Sequence, residues 1–252
     1  MRLKKAWIGF LSIFVASLLI ALPLHSETIE LDKDAQGGGN KGTSFTPLDS
    51  GSNPANFEIR ARSHIDHNQP TNPNAPGQEG TVYIDTHNKG TGVKNISGGG
   101  SAGISGKGGD RDEELIFTFD VPVLLYPLEL GLNDIDFGSG LGNKDDPYIY
   151  LQLSTDAPNT YSVVIDESII QDAFTSTGSK KGIVNFEDFI GHPSLSGLTT
   201  STLITSFKIR ETNSKIFVTS LTEGIPAPEP GTLLILGSCL TYAAMKRKKT
   251  AK

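Results

Sequence analysis

Two short stretches concentrate the oxygen ligands that a hard cation needs. GGDRDEE carries Asp110, Asp112, Glu113 and Glu114, and NDIDFGSGLGNKDD carries Asp134, Asp136, Asp145 and Asp146. Calcium takes roughly six to eight oxygens, and loops that alternate acids with glycines supply them. Asp110, Asp112, Glu114, Asp134 and Asp136 are therefore the candidate ligands, with calcium as the one cofactor the sequence suggests. Neither loop has the spacing of an EF-hand or of an RTX nonapeptide, and Asp and Gly serve equally as turn formers on a solvated surface. A second group is SHIDH, with His64, Asp66 and His67, followed by His87 in YIDTH. Imidazole nitrogens suit transition metals, but no paired motif completes this set, and a polar loop explains it as well.

Sugar recognition calls for flat aromatic faces. Tyr148 and Tyr150 stand two apart in YIYLQLS and would share one strand face, a small platform for a glycan. The commoner meaning of that spacing is a strand face packed beneath a loop. Motifs for catalysis are missing: there is no G-x-S-x-G elbow, no H-E-x-x-H and no P-loop. GISGKGG sets a lysine among glycines without the Walker spacing or the following Ser or Thr. Carboxylates that could form a glycosidase pair are abundant, as in any acidic chain, and so select nothing. No catalytic residue is assigned and a non-enzymatic role is expected.

The elements that must position these residues read as strands. NFEIRARS at 56–63 alternates Phe57, Ile59 and Ala61 with Glu58, Arg60 and Arg62, the period of a half-buried strand. TVYIDTH at 81–87, ELIFTFD from Glu114, YIYLQLS at 148–154 and TYSVVIDE at 160–167 continue the pattern. ITSFKIRETNSKIFVTSL reads as a hairpin turning at Thr212, Asn213 and Ser214, with Phe207 and Ile209 inward and Lys208 and Arg210 toward water. Residues 89–109 are nearly low-complexity glycine and predict a long loop or successive tight turns. ESIIQDAF and VNFEDFIG can each form two helical turns, capped by Asp166 and Asn185. The fold class expected is all-β: a jelly-roll-like β-sandwich of 8–10 strands with one or two short helices.

Charge separates the body from its ends. Residues 27–228 hold 14 Lys and Arg against 27 Asp and Glu, a net of −13, whereas the whole chain carries −6. An acidic body of this kind argues against nucleic acid as a partner. The only cysteine is Cys239, so no disulfide or thiolate site is available to residues 27–225. At the front, Arg2, Lys4 and Lys5 precede an apolar run over residues 6–24, which predicts a signal peptide cleaved after Ser26 and passage through the Sec translocon.

At the other end, three prolines (Pro226, Pro228 and Pro230) favour an extended, accessible segment. Residues 231–245 are almost wholly apolar, and Lys246, Arg247, Lys248 and Lys249 then hold the C-terminus in the cytoplasm. A helix of that length spans about 22 Å, short of the roughly 30 Å hydrocarbon core, which suits a segment that is read and then removed better than a permanent anchor.

PAPEPGTLLILG followed by an apolar helix and KRKK resembles the PEP-CTERM sorting signal, also labelled the ice-binding protein C-terminal domain. The residues that carry the resemblance are Pro228, Glu229, Pro230, Gly231, Thr232 and the basic cluster at 246–249. It implies a Gram-negative bacterium that makes exopolysaccharide, and an exosortase that recognises the tail and cuts near the Pro-Glu-Pro. It does not fix what the body does. GISGKGGDRDEELIFTFD more loosely resembles a stretch recurring in the bodies of such proteins. No regular Thr-x-Thr repeat makes an ice-facing surface. The division expected is therefore a signal peptide (1–26), a secreted domain (27–225) and a sorting segment (226–252). The protein is expected to act outside the cell or on its surface, with exopolysaccharide or other matrix proteins as partners. Two other functions remain open: a calcium-assisted carbohydrate-binding module, and a secreted hydrolase without a recognisable motif.

Overall fold

The computed structural model describes residues 27–66, 68–87, 89–94, 103–105, 111–137, 145–212 and 215–223. The signal peptide, the whole sorting segment, Asp110, His67 and much of the Gly-rich stretch lie outside the described residues.

Within them the chain forms two antiparallel sheets and little helix. In chain order the strands are β1 (Thr28–Glu30), β2 (Gly39–Gly42), β3 (Ser44–Phe45), β4 (Phe57–Asp66), β5 (Gln78–Glu79), β6 (Thr81–Ile84), β7 (Thr91–Lys94) and β8 (Ile104–Ser105). They continue with β9 (Arg111–Leu124), β10 (Glu129–Asn133), β11 (Pro147–Leu153), β12 (Val163–Ile165), β13 (Phe174–Gly178), β14 (Lys181–Asn185), β15 (Leu203–Glu211) and β16 (Lys215–Thr222). The nine-stranded sheet runs β13-β14-β10-β16-β7-β6-β2, with β1 and β8 also paired to β16. The seven-stranded sheet runs β12-β11-β15-β9-β4-β3, with β5 added to β4.

Period-2 alternation builds the core between them. From the smaller sheet come Phe57, Ile59, Leu115, Phe117, Ile149, Leu151, Phe207 and Ile209; the larger contributes Val82, Leu130, Val184, Val218 and Leu221, all buried in one cluster. Phe117 and Phe207, opposite one another on β9 and β15, stack at 4.6 Å between centroids and 5° between planes. The 3-10 turn Phe186–Phe189 sets Phe186 edge-on against Phe207 at 5.2 Å, fastening the link after β14 to the core. The helix Glu167–Asp172 starts where expected: the Asp166 side chain accepts from Ile169 N, and Ile169 and Ile170 go inward. Asn185, by contrast, makes no side-chain cap.

Three expectations change. β15 and β16 do not form a hairpin, because β15 pairs with β9 and β11 while β16 lies in the other sheet, so the chain turns a corner between sheets. Part of the Gly-rich stretch is strand: β7 and β8 flank β16 and bury Val93 and Ile104 completely. The described strands also outnumber the 8–10 anticipated, since pieces of two or three residues carry no readable period.

Candidate functional site: a strapped polar face on the smaller sheet

The alternation that sends Phe57, Phe117 and Phe207 inward sends charged residues to the opposite face of the same strands. Register then lines them up. Glu114 of β9 stands opposite Arg62 of β4 on one side and Arg210 of β15 on the other, and Arg210 stands opposite Tyr148 of β11. One step along, Lys208 stands opposite Tyr150.

Glu114 is the hub. Its Oε1 takes Arg62 Nη1 at 2.9 Å and Lys208 Nζ at 3.4 Å, and its Oε2 takes Arg210 Nη2 at 2.9 Å and Nε at 3.1 Å. The Lys208 ammonium also sits 4.2 Å from the Tyr161 ring centre and 5.5 Å from that of Tyr150, and the Arg210 guanidinium lies 4.9 Å from Tyr150. Such contacts strengthen away from water. Here they are nearly dry, because Glu114 and Arg210 are fully buried and Lys208 is 1 % exposed.

A segment over residues 68–77 excludes the water. It lies across this face and is held through its main-chain carbonyls. Tyr150 Oη donates to Pro70 O, Lys208 Nζ to Pro73 O, Arg62 Nη2 to Ala75 O at 3.0 Å, and Arg210 Nη1 to Gln69 O at 3.3 Å and Asn72 O at 3.4 Å. Turns of its own shape it: Asp66 accepts from Asn68 N and Gln69 Nε2, while Asn72 N reaches Gln69 O and Ala75 N reaches Asn72 O.

Burial sets the acid–base character of this face. Desolvation pushes Lys208 down to about 8; Glu114 opposes the shift, and the like charges of Arg210 and Arg62 add to it. The hydroxyls of Tyr148, Tyr150 and Tyr161 are raised, in each case mainly by burial. On the inward side of β9, burial also raises Glu113 to about 8, although Ser105 N donates to it and Lys215 attracts its charge.

The arrangement corrects several expectations. Lys208 and Arg210 do not face water, since the strap covers them. Tyr150 presents no open platform: it is fully buried with its hydroxyl under the strap, and only its stacked neighbour Tyr148, 6.2 Å away, keeps partial exposure. Glu114 is no calcium ligand in this geometry, because three cations occupy its carboxylate.

The remaining acids are dispersed over several contacts. Asp112 is buried on β9; Asp134 pairs with Lys89 at 2.7 Å and Asp136 with Lys180 at 3.2 Å. The two ends of the second acidic stretch meet each other. Asp145 takes Asp136 N on its side chain and returns its own N–H to Asp136 O, while Asp146 N donates to Glu211 Oε1 at 2.9 Å. No group of three or more His, Cys, Asp or Glu able to hold a metal occurs among the described residues. Of the histidine group, His64 contacts Ser63 Oγ through Nδ1, Asp66 shapes the start of the strap, and His87 is exposed beside Asp85.

Sequence reading missed Arg62, Lys208, Arg210, Tyr161 and the strap as one constellation. They come from four segments, and only the folded sheet, with the strap and Tyr161 packed on it, brings them together. What this face does physically is clamp: donors from three strands seize one loop, and a single carboxylate from a fourth holds the cations among them. Comparison with known protein families, with curated proteins and with solved structures finds nothing that matches this chain.

Proposed function

We propose that this is an exported protein of the cell surface or extracellular matrix, sorted by its tail, with a structural or interaction role linked to exopolysaccharide. The observation that carries the reading is the pairing of two end segments in one chain: the basic-then-apolar start over residues 2–24, and the Pro228-Glu229-Pro230, apolar and Lys246–Lys249 sequence at the finish. Together they set a topology with the body outside and the basic tail inside. The body is a jelly-roll-like sandwich carried between a cleaved signal and a transient membrane helix, with an exosortase as the partner during sorting. A net charge of −13 over residues 27–228 keeps such a domain soluble and off anionic lipid. The absence of cysteine from residues 27–225 makes its folding independent of the redox state outside the cell.

The test is the mass of the mature protein. The full chain is expressed in an exosortase-bearing host, and the protein released from the envelope is analysed intact. The expected species begins at Glu27 and ends near Pro228, and replacing residues 228–230 with alanine leaves the tail attached and the protein in the membrane fraction. A released protein that still ends at Lys252 overturns the sorting reading.

A further inference from the structure

The strap over residues 68–77 is fastened unlike the rest of the fold. The core is held by apolar side chains and the sheets by ladders of main-chain bonds. The strap is held by side-chain donors of Arg62, Tyr150, Lys208 and Arg210 that reach only its carbonyl oxygens. Its own side chains mostly face out: Asn68, Gln69, Thr71, Asn74 and Pro76 are exposed, and Ala75 alone is fully buried. The bonds that shape it, Asn72 N to Gln69 O and Ala75 N to Asn72 O, are internal and would travel with it. Beneath it, β4, β9, β15 and β11 pair with one another without its help.

We propose that residues 68–77 lift from the smaller sheet as a unit while both sheets stay folded, uncovering Tyr150, Lys208 and Arg210, and that the strap is held more tightly in alkaline than in neutral solution. Removing the strap rehydrates the cations it dehydrates, so the cost of lifting it is partly returned. The groups facing Lys208 fix the sign. Arg62 on β4 and Arg210 on β15 repel its charge, Glu114 on β9 attracts it, and Tyr150 and Tyr161 flank it as rings. The strap brings no titratable group of its own over it. Docked, Lys208 holds its proton less firmly than the ordinary 10.5. Lifted into water it regains that firmness, so protons favour the lifted form. A neutral amine still donates to Pro73 O. This inference does not depend on the export reading and stands or falls by itself.

The experiment is hydrogen exchange on the full chain in detergent solution, with protection factors corrected for intrinsic rates, between pH 7 and pH 10. Amides of Asn72 and Ala75 are expected to exchange through openings far more frequent than those that release β9 and β15. Their opening constant is expected to fall on the order of 50-fold from pH 7 to pH 10. Lys208→Met should flatten that dependence. The wild-type measurement decides the matter even if the variant folds poorly. Strap amides that exchange only together with β9 and β15, or an opening constant that is constant or rises with pH, overturn the proposal.

Discussion

Glu114 has to be an acid because of what surrounds it. Two arginines flank it in register and a lysine approaches diagonally, all from strands whose other faces build the core. Buried ion groups contribute little net stability over apolar packing, but removing one partner strands the others in a dry site. Glu114→Ala would leave Arg210 and Lys208 buried without their counter-charge. The expected loss is about 3–5 kcal/mol in denaturant unfolding. Arg60→Ala, on the same β4 but exposed, should stay within about 0.5 kcal/mol of wild type. A Glu114 variant as stable as the Arg60 variant would mean that the carbonyls of the strap, not the carboxylate, carry the cations.

At the scale of elements, glycine in β7 marks a close approach between backbones. A Cβ on Gly92 would fall 2.3 Å from Gly103 Cα, next to the bond from Val93 N to Gly103 O. Gly92→Ala should therefore part these segments and cost about 1–3 kcal/mol. Gly178→Ala, on β13 with nothing within 4 Å of the added carbon, should be near neutral. Thermal unfolding of the two variants side by side checks this; equal melting temperatures would refute the close-approach argument. The same stretch shows what the sequence could not convey. β4, β9, β11 and β15 were legible because Phe57, Phe117, Ile149 and Phe207 recur at period two against polar neighbours. The Asp166 cap was legible because capping is local. Alternation names two faces but not what covers the second, so Lys208 and Arg210 read as solvated when the strap buries them. Nor does it distinguish a hairpin from a corner between sheets, since Phe207 and Val218 point inward in either. Each acidic loop offered candidate cation ligands because proximity in sequence was the only available guide; in space Glu114 belongs with the cations and Asp134 with Lys89.

For the whole molecule, the body has no cysteine and a large net negative charge, so stability rests on the shared core and varies with protonation. Two groups on opposite faces of the smaller sheet, the half-buried Glu113 and the buried Lys208, act in adjoining pH windows. Glu113 is raised to about 8 from 4.5, so the folded state binds its proton more firmly than the unfolded chain. Its contribution is full below pH 4.5 and is lost as pH climbs toward 8. Lys208 is lowered to about 8 from 10.5, so the unfolded chain binds its proton more firmly, and stability returns as pH rises above 8. Above about 10 the buried tyrosines reverse the slope once more, because the unfolded chain ionises them first. The expected profile of unfolding free energy against pH falls from 5 to 8, passes a minimum near 8, and recovers toward 10. Repulsion within an acidic body also grows with pH at the low end, and single variants separate the causes. Glu113→Gln should flatten the fall between 5 and 8 while leaving the recovery, and Lys208→Met should remove the recovery while leaving the fall. A profile that declines smoothly through pH 8 to 10 in the wild type would show that Lys208 keeps its proton in the folded state. The strap would then be held by a charged lysine throughout, and its pH dependence would vanish with the minimum.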